Sequence, residues 1–367
     1  IEIGENMQKR KIIILTIVLI ALILGLIIFW LITKDNTKKY YSDKSQMVIK
    51  EYKIKEIYQE EYSKTLDKML QSKYFDITYL EEYKIIEYQN KDTFLKDISD
   101  YLIIGYSGKE INNIFKLSAK NQAKIKELEK TDFSKYLNIK NFDILKISRY
   151  EEYLKKTKKD IQTVVTYVNI NLDKEFYTDT TLLSNPDDLT VIINKYYYVE
   201  KNFVPKDLVV LFDSKQNAKM VKVAADAFKD LIKAAEKDGL TLESTTAYRS
   251  YSFQNTLYTN YVKEDGVKLA DTYSARPGTS EHQLGLAVDL NNPNVSGKRL
   301  SDSDYEWLKE NAHKYGFIIR YTKEGVQITG YMEEPWHIRY LGIDLATKVT
   351  NSGLTYEEYY DLYMMEY

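Results

Sequence analysis

Ser280-Glu281-His282-Gln283-Leu284-Gly285-Leu286-Ala287-Val288-Asp289-Leu290 is the stretch on which the fold turns. In its second half Leu286, Val288 and Leu290 alternate with Ala287 and Asp289, the period of a strand with one face on a core. Asp289 then points away from that core. His282 comes from the turn before the strand, where Gly285 permits a sharp entry. A second stretch, Glu334-Pro335-Trp336-His337-Ile338-Arg339-Tyr340, alternates in the same way. In a straight strand Glu334 and His337 would lie on opposite faces, so Pro335 must bend the chain if both are to serve one site.

Counting side chains outward from these stretches narrows the chemistry. The 367 residues include three histidines, His282, His313 and His337, and no cysteine. Disulfides, thiolate metal sites and cysteine nucleophiles are therefore excluded. Two neutral imidazoles and one carboxylate form a three-ligand zinc site with an open fourth position, the catalytic pattern. A further acid, close but not bound, would accept a proton. His313 lies in an ordinary helical stretch and reads as a packing residue. A net charge of −2 gives no basis for a nucleic-acid partner. Of 52 basic residues only seven are arginines, five of them between 249 and 339, which suggests arginine held for bidentate work.

Glycine and proline divide the chain. Between Thr33 and Asn185 there is no proline, and Gly105 and Gly108 are the only glycines; all five prolines follow from Pro186. Residues 33–187 read as a mainly helical spacer. Phe75-Asp76-Ile77 and Phe142-Asp143-Ile144, each followed by a tyrosine-acid cluster, suggest a two-fold repeat within it. From 188 to 345, short β-branched runs (189–193, 208–211), an amphipathic helix over 219–237, a strand over 243–248 and a helix over 302–315 indicate an α+β domain. Residues 346–367 read as a helical tail.

Ile12–Ile32 is 21 residues without a charge, and at ~1.5 Å per residue it matches a bilayer core. The Lys9-Arg10-Lys11 leader within residues 1–11 favours a cytoplasmic N-terminus, and Met7 is a candidate start. No small-residue cleavage site follows, so an uncleaved single-pass anchor in the cell membrane is expected, with the bulk outside.

Ser274-Ala275-Arg276-Pro277-Gly278-Thr279-Ser280-Glu281-His282, the Gly-Leu-Ala-Val-Asp that follows, and Glu334-Pro335-Trp336-His337 resemble the VanY-type zinc carboxypeptidases of bacterial cell walls, a group that includes the LdcB-like L,D-carboxypeptidases. Ala247-Tyr248-Arg249-Ser250-Tyr251 with Gln254 is similar to their Tyr-Arg-Ser element, except that Thr246-Ala247 stands where Ser-Gly is common. The resemblance covers about residues 188–345. It implies a Hedgehog/DD-peptidase-like fold, a small antiparallel sheet with flanking helices. It also implies one zinc ion on His282, Asp289 and His337, with Glu334 as general base and acid and Arg249 as the cation at the oxyanion. Ser280, Gln254 and Arg276 become substrate contacts. The implied activity is removal of a C-terminal D-alanine from peptidoglycan stem peptides. L,D-cleavage of tetrapeptides and endopeptidase action are the enzymatic alternatives. The non-enzymatic alternative is a zinc-stabilised wall-binding module, against which the presence of Glu334 and Arg249 weighs.

Overall fold

The structure, a computed structural model, describes residues 20, 22–27, 41–127, 134–212, 217–297 and 299–365. The leader and most of the expected membrane span at 12–32 lie outside the described residues. Among the described residues no helix is long and apolar enough to cross a membrane. Two compact units divide the chain, residues 1–138 and 139–367.

The first unit is helical, with helices Asp43–Glu51, Lys64–Leu70, Leu80–Ile85, Phe94–Ile104, Gly108–Ile114 and Ala119–Glu127. Its starts are written in the sequence: Ser42, Ser63 and Ser107 each accept a backbone N–H of the first turn. Gly105 and Gly108 are both required. Gly105 ends a helix in the left-handed conformation (φ 100°), and a Cβ on Gly108 would meet the Glu82 carbonyl at 2.8 Å. Tyrosines fill the core, Tyr83 and Tyr101 being wholly buried.

The Phe-Asp-Ile similarity corresponds to one local structure formed twice. Asp76 and Asp143 each cap a 3-10 turn that leads into a helix. Tyr83 and Tyr150, seven residues on, each accept the backbone N–H of that aspartate at 3.2 Å. One copy falls in each unit, so the Phe142 segment and the helices Ile147–Lys156 and Ile161–Asn169 belong with the second unit rather than with a spacer ending at 187. Side-chain bonds tie them there: Asn141 donates to Asp361, and Arg149 grips Asp173 with Nε and Nη2.

The second unit is built on a four-stranded antiparallel sheet, β5-β6-β8-β7, with β5 at Glu243–Thr246, β6 at Ala287–Asn291, β7 at Phe317–Tyr321 and β8 at Glu334–Tyr340. The short pairs β1 (Thr181–Leu182) with β2 (Tyr197–Tyr198) and β3 (Leu208–Val210) with β4 (Lys219–Val221) lie outside this sheet. Val288, Leu290, Phe317 and Ile338 face the helix Lys222–Lys237 through Phe228, Leu231 and Ile232. The opposite face is covered as well. Ile318 packs with Ile192, Ala346, Val349, Tyr356 and Tyr359, so the C-terminal helices Ile343–Ser352 and Tyr356–Tyr363 are part of the unit and not a tail. The apolar run 189–193 is not a strand: the carbonyls of Leu189 and Val191 accept instead from the buried guanidinium of Arg339, at 3.0 and 2.9 Å.

Candidate metal centre and active site

Asp289 and His337 are register partners on β6 and β8, so one cross-strand pair brings two donors face to face. His282 arrives from the 3-10 turn Glu281–Leu284, which Gly285 closes with φ 66°. A Cβ there would lie 2.9 Å from Leu208. The three side chains are 3–4% exposed, and one ligand atom from each lies within 4.8 Å of the others. The imidazoles meet edge to face at 4.9 Å.

Each imidazole has one nitrogen committed to a group that only accepts. His282 Nδ1 lies 2.7 Å from the Ala247 carbonyl and donates to it, leaving Nε2 bare, 3.4 Å from Asp289 Oδ1. His337 Nε2 donates to Glu281 Oε2 at 3.1 Å, which turns Nδ1 toward the same Asp289 Oδ1, also at 3.1 Å. Such partners select the tautomer a metal needs. Two imidazole nitrogens and one carboxylate oxygen fit a single zinc ion. Burial, with Arg249 beside it, pushes His282 down to about 4. Burial opposes charge on His337 too, but Asp289 and Glu281 prevail and lift it to about 9. Metal entry therefore displaces a proton from His337.

The cluster floors a cleft of about 200 Å³ whose walls include Arg249, Ser280, Arg299, Tyr321, Tyr331, Glu334 and Trp336. Glu334 reaches it through an irregularity. Ile319 pairs with Ile338 and Tyr321 with Glu334, two residues along β7 against four along β8. The extra length sits around Pro335 and Trp336, the bend the sequence required. Burial raises the Glu334 carboxyl to about 7, with His337 opposing and Asp289 reinforcing.

Arg249 is fixed at the rim: Nη2 donates to Asp289 Oδ2 at 2.8 Å and Nη1 to Gln254 Oε1 at 3.2 Å. Gln254 is 1% exposed and donates to the Ala275 carbonyl, so it supports Arg249 and is not itself a wall of the cleft. Ser280 does line the cleft. Arg276 does not. Asp271 holds its guanidinium at 3.0 and 2.8 Å, and it stacks on the Tyr177 ring. His313 is bonded to Thr347 at 3.0 Å, apart from the cluster.

Glu281 is the residue sequence reasoning passed over. Burial would keep it neutral, yet Arg320 and Arg339 hold its carboxyl well below the usual range. The signal was available: an acid inside the decisive stretch and two of the scarce arginines on neighbouring strands. Tyr321 packs against the His337 ring at 5.0 Å and Tyr331 against Tyr321 at 4.8 Å, both tilted; among so many tyrosines nothing singles these out.

A buried His-Asp-His cluster beneath an unligated glutamate and an arginine defines a metal-dependent hydrolase. Residues 217–343 match the family VanY, D-alanyl-D-alanine carboxypeptidase. The chain is 36% identical over 208 residues to the protein named "Putative carboxypeptidase YodJ" of Bacillus subtilis, a match spanning 52% of this chain and 76% of that protein. It is 37% identical over 169 residues to a D-alanyl-D-alanine carboxypeptidase of Enterococcus faecalis, covering 43% of this chain and 62% of that one. The solved LdcB LD-carboxypeptidase aligns at 37% identity and a TM-score of 0.47, over 52% of this chain and 92% of that chain. This chain belongs to the VanY family of metallo-carboxypeptidases.

Proposed function

We propose that the protein removes the C-terminal D-amino acid from peptidoglycan stem peptides by zinc-dependent hydrolysis. Residues 12–32 anchor it as a single span, with the peptidase unit outside the cytoplasm. The reading is carried by one observation: Glu334 shares a cleft with His282, Asp289 and His337 without belonging to their cluster. The zinc these three residues would hold supplies Lewis-acid polarisation of the scissile carbonyl and acidifies water. Glu334 takes the proton from the attacking water on its carboxylate and passes it to the leaving amine as the C–N bond breaks. Arg249, held by Asp289 and Gln254, presents a positive charge where the carbonyl oxygen becomes negative. A preorganised donor of this kind is commonly worth about 2.7–4 kcal/mol. Ser280 on the wall contacts the terminal residue. A span without charge over 21 residues supports the anchor.

The test uses the full chain in detergent with pentapeptide and tetrapeptide muropeptides, products read by mass. Loss of one terminal D-alanine from either is the expected result, and which one separates D,D- from L,D-cleavage. No cleavage, or cleavage inside the peptide, overturns the reading. Protease added to intact cells stripped of wall should digest the peptidase unit; protection would overturn the orientation.

Activity should also fall on the acid side. Burial pushes the Glu334 carboxyl up to about 7, and it works only when ionised; while protonated it cannot accept another proton. A bound cation favours the ionised form, so the acid limb of kcat/KM is expected at or below about 7. A rate that rises as pH drops through this range would exclude Glu334 as the base.

A further inference from the structure

We propose that Glu357, on the C-terminal helix Tyr356–Tyr363 and outside the residues 217–343 that the family model matches, is a positioning residue for His337. The inference rests on the metal reading of His282, Asp289 and His337.

The connection runs through four side chains with 4–5% exposure or less. His337 Nε2 donates to Glu281 Oε2. The other oxygen of Glu281 accepts from Arg320 Nε at 2.8 Å and from Arg339 Nη1 at 3.0 Å. The two arginines are anchored differently. Arg339 is tied to backbone, donating to the carbonyls of Leu189, Val191 and Tyr340. Arg320 is tied to Glu357, whose carboxylate takes Nη1 at 3.0 Å and Nη2 at 2.6 Å in a bidentate fork. Asn194 donates to Glu357 Oε1 at 3.2 Å and steadies it in turn.

Charge balance explains why this distant group matters. Glu281 and Glu357 offset Arg320 and Arg339, two against two, where water is excluded. Without the Glu357 charge, Arg320 has Glu281 as its remaining anionic partner in this network. The stronger pull on Glu281 makes it a poorer acceptor for the His337 N–H, and the imidazole becomes a weaker ligand through Nδ1. Loss of the fork also lets the Arg320 plane rotate and take Glu281 with it. Partners that touch a ligand typically change metal affinity about 10–100-fold. Glu357 acts two side chains further out, so a smaller change of about 3–10-fold is expected.

Glu357→Gln and Glu357→Asp are compared with the wild-type full chain after metal removal. Zn²⁺ affinity is measured by competition with a chelating dye, and the visible spectrum is recorded with Co²⁺. Folding is checked by near-ultraviolet circular dichroism. Weaker Zn²⁺ binding and shifted Co²⁺ bands are expected in Glu357→Gln, with Glu357→Asp in between because it keeps the charge and loses the fork. A purely structural role would lower the melting temperature and leave affinity and spectrum unchanged in folded protein. Either folded variant with wild-type affinity and spectrum overturns the inference. If Glu357→Gln does not fold, the charge-preserving Glu357→Asp decides. These readouts concern metal and not turnover, so failure of the peptidase reading would be seen separately; a wild-type chain that bound no metal would overturn both.

Discussion

Glu334→Gln is expected to lower kcat by about 10²–10⁴-fold, and by more if one group serves both proton transfers, while zinc content stays near wild type. The amide keeps the volume of the side chain but cannot take a proton from water or return one to the leaving amine. Glu334 stands outside the His-Asp-His cluster, which is why metal should be retained. A substrate peptide should still bind, so the loss falls on turnover. Loss of zinc in this variant would make Glu334 a ligand and displace one of the other three. Wild-type turnover would show that Glu334 is not the base and would make the mechanism wrong.

His337→Ala should lose metal and activity together. Removing a partner of a ligand already costs about 10–100-fold in affinity, and removing the ligand itself should exceed that. His337 is also the group through which Glu281 and Asp289 meet. Its loss leaves two buried carboxylates facing an empty position, and the fold should weaken as well. Stoichiometric zinc in the double variant His282→Ala/His337→Ala would refute the assignment. His313→Ala is the control: its imidazole bonds Thr347, and zinc content should be unaffected.

Much of the site was legible because strand periodicity is a local property. Alternation placed Asp289 and His337 off the core, and the need for a bend at Pro335 anticipated the slip that admits Glu334. The scarcity of arginine also carried meaning, since Arg149, Arg276 and Arg320 each form a two-bonded fork with a carboxylate. What could not be read depends on side-chain contacts that no periodicity of the sequence marks. Arg276 looked like a substrate contact until Asp271, five residues away, was seen to hold it. Gln254 looked like another until its burial behind Arg249 was visible. The run 189–193 carries a strand's composition, but its carbonyls answer to Arg339. No local pattern announces that the second face of the sheet is covered by helices from the end of the chain.

That covering separates the residues matched by the family model from the unit of folding. Residues 217–343 are what the family model matches, yet five of the seven buried apolar residues clustered on the second face, Ile192, Ala346, Val349, Tyr356 and Tyr359, lie beyond them. So do two of the three carbonyls that hold Arg339 and the carboxylate that forks Arg320. A fragment trimmed to the matched residues would keep every zinc donor and still open an apolar flank to water, with Arg320 stripped of its Glu357 fork and Arg339 of two backbone acceptors. Such a fragment is a candidate for aggregation before it is a candidate for catalysis. The matched residues carry the chemistry; the sequence that flanks them makes the unit a body that can hold its shape.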